Sequence, residues 1–179
     1  MIPDEPTEDS REELALKTAG RALIMRLCEE FPRFAVAWEK YLAGWGGESC
    51  GPYMDIAEFA HFVDNELFTG GEHEEIRRAF LVLDHLFLNG DEPTRDLIGI
   101  GFVEDLQNIL SGSTDGHSTV IPLLPPTLLK VWGRIEKQWA GHSSLMEVLE
   151  AEVAQTRNAD GQLLASHPTW AQLFDLPKT

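Results

Sequence analysis

The segment Gly99-Ile100-Gly101-Phe102-Val103-Glu104 has the start of a dinucleotide-binding fingerprint. That fingerprint needs a strand before its glycines and a helix that begins at them. Here Pro93 begins a predicted helix several residues earlier, and Glu104 takes the place of the third glycine, where its carboxylate would repel a pyrophosphate. We therefore predict that Gly99 and Gly101 lie inside a packed helix. Each costs about 1 kcal/mol relative to Ala there, which indicates a neighbour too close for a side chain.

A second pattern, Glu58-x-x-His61, places two metal-ligand side chains on one face of a predicted helix. Di-iron bundles use this motif twice, together with two further glutamates. No other histidine of the chain has a glutamate three residues before it. A solvated helix face is the favoured interpretation, and no metal or other cofactor is expected. Two alternatives remain: a metal-binding protein that uses Glu58 and His61, and a helical hydrolase built on scattered carboxylates. Tightly bound iron or manganese in the purified protein would support the first.

Asp84 stands alone among apolar residues in the segment 79–88, AFLVLDHLFL. A buried carboxylate must be hydrogen-bonded or neutralised. We expect Asp84 to cap or pair with another segment of the chain, and the alternative is that it tunes a functional site. Nucleophilic catalysis has little support, because the chain has no Gly-x-Ser-x-Gly motif and neither Cys28 nor Cys50 lies in a recognisable reactive setting. An enzyme is therefore not expected.

The chain has 179 residues, which suits one domain. Residues 1–9 are predicted to be a flexible acidic lead, and residues 10–179 a single helical domain. The N-terminus has no apolar segment typical of a signal peptide, and no apolar run reaches the length of a membrane span. Two cysteines make no disulfide framework, so a reducing, cytoplasmic location is expected.

Helical periodicity of the apolar residues dominates the sequence. The fold class is predicted to be all-α, a single-domain bundle of six or seven helices with a central antiparallel hairpin at about 72–110. Ser10 and Glu13 form a capping box at the start of the first helix, and Asn89-Gly90 suits a left-handed helix end. Trp170 and Phe174 are expected to fold back on the domain. The predicted helices are 10–30, 32–44, 53–68, 72–89, 93–110, 127–138 and 143–156.

The net charge of −16 is the most pronounced global property of the sequence. It disfavours direct contact with nucleic acid and with anionic membrane surfaces, which are themselves negative. It favours fast association with a basic protein, although solubility alone would also explain it. Residues 53–110 hold thirteen acidic and three basic residues, a local charge of −10. The acids expected to contact a partner form cluster A (Asp64, Glu66, Glu72, Glu74 and Glu75) and cluster B (Asp91, Glu92 and Asp96).

One longer pattern joins several of these features. An aromatic residue precedes an acid in one helix, a Gly-Asp turn follows, and the next helix carries Gly-aromatic-x-Glu-x-Leu. Its residues here are Phe80, Asp84, Gly90-Asp91, Gly101-Phe102, Glu104 and Leu106, with a Phe-Pro step in EEFPRF at 29–34. Over about 29–111 the chain thereby resembles a family of uncharacterised bacterial all-helical proteins. Some of these occur as immunity proteins beside polymorphic or contact-dependent toxins.

The resemblance implies a non-enzymatic immunity protein that binds and neutralises a cognate toxin. The acidic surface independently favours a toxin with a basic surface, such as a nuclease. A cytoplasmic adaptor or regulator with another protein partner is the alternative binding function. Cluster A is the better candidate for the contact surface, although solvation of helix ends would explain both clusters. On the sequence alone, reversing the charges of Glu72, Glu74 and Glu75 is expected to slow association without changing the thermal midpoint.

Overall fold

The computed structural model describes residues 7–113 and 115–139, all in helices and the turns between them. The predicted all-α class is confirmed. Two stretches within the helices are wound as π-helix, called π1 and π2 below. The elements are α1 (Glu8–Glu30), α2 (Pro32–Gly44), α3 (Pro52–Phe62), π1 (Val63–Phe68), α4 (His73–Asn89), α5 (Glu92–Asp96), π2 (Leu97–Glu104), α6 (Asp105–Ser111), α7 (Gly116–Val120), a 3-10 turn (Ile121–Leu123) and α8 (Pro126–Trp139).

Two of these series run without a break. α3 continues into π1, and α5, π2 and α6 form one rod. The predicted helices 53–68 and 93–110 therefore exist, but each contains a π-helical stretch with i→i+5 hydrogen bonding where regular α-helix was expected. In π2 the residues Leu97, Ile98, Gly99, Gly101, Phe102 and Val103 are all buried. A stretch that is buried on nearly every side has apolar residues all round and no single apolar stripe. Its sequence pattern therefore does not distinguish α-helix from π-helix.

Several boundaries differ from the sequence prediction. α1 begins at Glu8, and its cap is Thr7, whose hydroxyl accepts a 3.4 Å hydrogen bond from the Ser10 amide, so Ser10 is not the cap. Gly90 has φ −76° and ψ 167°, an extended conformation, so the predicted left-handed helix end is wrong. Gly90 suits its place for another reason: a Cβ there would lie 2.6 Å from the Leu86 carbonyl oxygen.

Beyond α6, the segment expected to be a polar loop, 111–119, contains the start of the short helix α7. The prediction for α8 agrees with the structure to within one residue at each end. The predicted seventh helix, 143–156, and the packing of Trp170 and Phe174 lie outside the described residues. In the part that the structure describes, no helix is long and apolar enough to cross a membrane.

The core is built around aromatic side chains at the centre of the bundle. The Phe34 and Phe59 rings lie edge to face with centroids 4.8 Å apart, and Phe102 of π2 is 5.7 Å from Phe59. Phe80 of α4 meets Phe102 at 6.2 Å, which joins the α4 side of the predicted hairpin to the rod. Such pairs add about 0.5–1.5 kcal/mol each beyond the area they bury. The closest neighbour of π2 is nevertheless α3.

The close approach of π2 to α3 occurs at Gly101. A Cβ built on Gly101 would overlap Cγ2 of Ile56 and lie 3.5 Å from Cδ1 of Tyr53. Ile56 is 1% exposed, so it has little freedom to move away. The predicted packing role of this glycine is confirmed, and Gly101 lies inside a helical rod.

Asp84 is 1% exposed and reaches from α4 to the N-terminus of α8. Its Oδ1 accepts a 3.2 Å hydrogen bond from the Leu128 amide, one of the first-turn donors that a helix cannot satisfy internally. The negative charge also suits the positive end of the helix dipole. The expectation that Asp84 caps another segment is therefore confirmed.

Replacing Asp84 with Ala is expected to lower the free energy of unfolding by about 2 kcal/mol, because the buried Leu128 amide loses its acceptor. Asp84→Asn keeps an acceptor oxygen, so its loss is expected to be smaller. Urea denaturation followed by circular dichroism measures both variants. Equal losses would contradict the role of the Leu128 hydrogen bond and indicate that the negative charge at the N-terminus of α8 supplies the stability.

Candidate protein-binding surface

Cluster A lies at the turn that connects π1 to α4. The turn contains Gly70 and Gly71, and Gly71 has φ +71°, a conformation that favours glycine. The chain therefore reverses sharply and brings the acids of π1 beside those of the first turn of α4. This juxtaposition was predicted from the sequence.

Arginines offset part of the charge of cluster A. Arg33, in the first turn of α2, places its Nη1 2.7 Å from Glu72 and its Nη2 3.5 Å from Glu66. Glu74 lies 3.9 Å from Nε of Arg77. The Glu66 and Glu74 side chains nevertheless remain 58% and 73% exposed. The Arg33–Glu66 and Arg77–Glu74 ion pairs are solvated, so they leave the Glu66 and Glu74 carboxylates accessible to a partner.

Glu75 does not belong to the open surface. Its side chain is 11% exposed and lies 3.1 Å from Nη1 of Arg78, which is itself 4% exposed. The structure thus separates Glu75 from the rest of cluster A. Reversing its charge would oppose a buried network, so the sequence-based charge-reversal design, which includes Glu75, is unsuitable as a test of binding alone.

The network around Arg78 was missed by the sequence interpretation. Nη2 of Arg78 donates to Oε2 of Glu30 at 2.7 Å and to the Glu30 carbonyl at 3.0 Å. The guanidinium carbon lies 4.5 Å from the centroid of the Phe31 ring. Arg26 holds the other Glu30 oxygen at 2.6 Å. The network ties the α1–α2 junction to α4. The only sign of it in the sequence was Arg78 itself, which follows Arg77 and lies on the apolar side of α4.

Cluster B lies at the opposite end of α4. Asp91 caps α5: its Oδ1 accepts from the Thr94 hydroxyl at 2.6 Å and from the Thr94 amide at 3.0 Å. These hydrogen bonds hold the pKa of Asp91 below its usual value. Glu92 is exposed, whereas Asp96 is half-buried and faces Tyr53. Burial raises the pKa of the Tyr53 hydroxyl, and the nearby Asp96 carboxylate raises it further. Cluster B is therefore largely a helix start.

The two clusters do not form one surface. α4 separates them and has 17 residues, a length of about 25 Å at 1.5 Å per residue. A single small contact would cover one cluster. Cluster A is the better candidate, because Asp91 of cluster B is engaged in capping α5, whereas the exposed Glu66 and Glu74 make only solvated ion pairs. Asp64, Glu66, Glu72 and Glu74 are the sequence-predicted residues that the structure leaves together at one edge.

Among the described residues, the Glu58 and His61 side chains belong to no group of three possible metal ligands. Burial raises the pKa of Glu58, while His61 lowers it. His61 Nε2 lies 4.0 Å from Asp105 Oδ2, a longer-range contact between α3 and α6. Within the described ranges, 7–113 and 115–139, no group of three His, Cys, Asp or Glu side chains could hold a metal ion.

Cys28 also lacks an activating environment. Cys28 is half-buried and packs against the core. Burial, with Glu39 and Glu29 adding to it, raises the pKa of its thiol to about 11. A thiol with this pKa is almost entirely protonated at neutral pH, so it is a poor nucleophile.

The fold and this surface together define a helical domain with exposed carboxylates at one edge. Residues 24–140 match the model of a family described as a domain of unknown function (DUF7674), and the chain belongs to this family. The match runs from the last third of α1 to the end of α8. It therefore includes the segment 120–126, which the resemblance noted above leaves out. No curated protein and no solved structure matches the chain.

Proposed function

We propose that this domain binds a basic protein partner through Asp64, Glu66, Glu72 and Glu74, and that it acts as an immunity protein that neutralises a toxin. The observation that carries the proposal is the exposure of the Glu66 and Glu74 side chains, 58% and 73%, beside a fixed glycine turn. Glu66 and Glu72 pair with Arg33, Glu74 pairs with Arg77, and Asp64 adds a fourth carboxylate to the two guanidinium groups. The edge thus keeps a net negative charge.

The global charge supports the same proposal. A net charge of −16 attracts a basic protein from a distance and orients its approach. Exposed carboxylates then fix the register of the complex. An inhibitor of this kind needs no catalytic groups, because covering the active surface of the toxin is sufficient. The acidic surface supports a basic protein partner in general. The choice of a toxin as that partner, and not the target of an adaptor or regulator, is supported by the family resemblance alone.

The contact surface is tested by neutralising Asp64, Glu66 and Glu74 together, as Asp64→Asn, Glu66→Gln and Glu74→Gln. Association with the basic partner is expected to slow by about tenfold at low salt, because steering charges act mainly on the association rate. The matched control neutralises three exposed acids elsewhere: Glu39→Gln, Glu48→Gln and Asp115→Asn. Stopped-flow association measures both variants, and equal slowing would contradict a local contact surface.

The toxin assignment has a separate test. If a neighbouring gene encodes a toxin-like domain, co-expression of this chain with that domain is expected to restore growth of the host cell. A complex with that domain should weaken steeply with salt, as charge-steered contacts do. A pull-down at low salt that recovers no salt-sensitive basic protein would contradict both the toxin and the adaptor forms of this proposal.

A further inference from the structure

A second surface lies at the other end of α2 from Arg33. It is a groove of about 700 Å³ between α1, α2 and the loop that leads into α3. Pockets that bind small molecules usually have a volume of about 300–1,000 Å³, so this groove is large enough to accept side chains of a partner. None of the residues of clusters A and B that remain exposed lines this groove.

The far wall of the groove is fixed by a buried acid. Asp55 is 7% exposed and its carboxylate accepts from the Ser49 hydroxyl, from the Cys50 amide at 3.3 Å and from the Tyr41 hydroxyl at 3.5 Å. These bonds use the carboxylate to hold the loop against α2 and α3. The glycines at 47 and 51 have φ +90° and +114°, so the loop path needs them. The wall is therefore preformed.

The other wall and the floor combine apolar and basic groups. Met25, Trp38 and Leu42 supply apolar surface, and Met25 is 56% exposed. Lys17 lies 2.6 Å from Glu13, but these side chains are 61% and 66% exposed, so water screens the pair.

Arg21 is the strongest feature of the rim. Its side chain is exposed and makes no ion pair with any residue that the structure describes. Leu14, 65% exposed, lies on the same outward side of α1, because positions 14, 21 and 25 are spaced by whole helical turns. This part of α1 therefore presents apolar and basic groups to solvent, together with Glu13, the acid that pairs with Lys17, on a chain whose net charge is −16.

We propose that this groove docks an acidic amphipathic helix of a partner protein. The apolar side of that helix covers Met25, Trp38 and Leu42, and its carboxylates pair with Arg21 and Lys17. This is the helix-in-groove mode of recognition. A short helix presents few charges, whereas an anionic membrane or a nucleic acid presents many to a chain of net charge −16. The groove and cluster A use different residues, so this inference does not depend on the proposed function.

The test uses the full-length chain and a fluorescein-labelled synthetic helix of about 14 residues, roughly four turns, with Leu at helical spacing, about three Glu beside the Leu stripe and Ala elsewhere. Fluorescence anisotropy is expected to show saturable binding that Arg21→Glu weakens about tenfold. Met25→Ser is expected to weaken it independently, through lost apolar contact. Lys137→Glu is the matched control, since it changes the net charge equally at an exposed lysine of α8.

Four results would overturn the inference. The first is the absence of binding at about 1 mM peptide, and the second is an equal effect of Arg21→Glu and Lys137→Glu, which would indicate bulk charge alone. The third is equal affinity for a peptide with Gln in place of every Glu. The fourth is another occupant: phosphatidylglycerol vesicles whose binding Arg21→Glu abolishes, or a dimer in sedimentation that the same variant dissociates.

Discussion

Arg78→Met is expected to lower the free energy of unfolding by about 3 kcal/mol. The substitution keeps most of the side-chain volume but removes the guanidinium that pairs with Glu30, whose side chain is 6% exposed. Removing one partner of a buried ion pair typically costs about 3–5 kcal/mol, because the other charge stays buried. The lower end of this range is expected, since Arg26 still contacts the Glu30 carboxylate at 2.6 Å.

Arg77→Met is the control for this prediction. Arg77 is the neighbouring residue of α4, and its side chain is 41% exposed and 3.9 Å from Glu74. A solvated pair of this kind contributes little, so the loss is expected to stay within about 0.5 kcal/mol. Guanidinium chloride denaturation measures both variants. Equal losses for Arg77→Met and Arg78→Met would contradict the structural role of the buried network.

The double variant Arg78→Met with Glu30→Gln separates charge from packing. If the cost of Arg78→Met comes from an unpaired buried carboxylate, neutralising Glu30 should recover part of it. We expect the double variant to unfold at higher denaturant than Arg78→Met alone. A further loss of stability in the double variant would show that Glu30 is held by its other contacts, and that Arg78 acts through packing on Phe31.

Gly101→Ala is expected to destabilise the domain by about 2 kcal/mol, against the trend for helical glycines. Replacing a helical glycine with Ala ordinarily gains up to about 1 kcal/mol. At this position the added methyl overlaps Cγ2 of Ile56, which is 1% exposed and packed between α3 and π2. Forcing extra volume into a packed core typically costs about 1–3 kcal/mol. Thermal unfolding followed by circular dichroism gives the sign.

Gly133→Ala is the matched control for this prediction. Gly133 lies in α8, and a Cβ there would meet no atom within 4 Å. Its replacement is expected to leave stability unchanged or raise it by up to about 1 kcal/mol. Combining Gly101→Ala with Ile56→Leu removes the Cγ2 methyl and should recover about 1 kcal/mol. A stabilising Gly101→Ala would contradict the close approach of the two helices.

The surface prediction shows where sequence reasoning stops. Charge counting placed Glu75 and Asp96 among the partner-facing acids, yet the first lies beside buried Arg78 and the second faces Tyr53. The sequence gives the number of charged residues in a helix. The exposure of each charged side chain depends on which side of that helix is covered by the neighbouring helices. Arg33 pairs with Glu72 across 39 positions, a distance at which local patterns carry no information.

The sequence by itself determined the all-α class, most of the helices and their breaks, because apolar periodicity, prolines and glycine turns act locally. It also identified Asp84 and Gly101 as structural positions, since a lone buried acid and a helical glycine each need a particular neighbour. Only the tertiary structure identifies the neighbouring residues, which are Leu128 for Asp84 and Ile56 for Gly101. The groove beside Arg21 is likewise a tertiary feature, because its walls come from helices that meet only after folding.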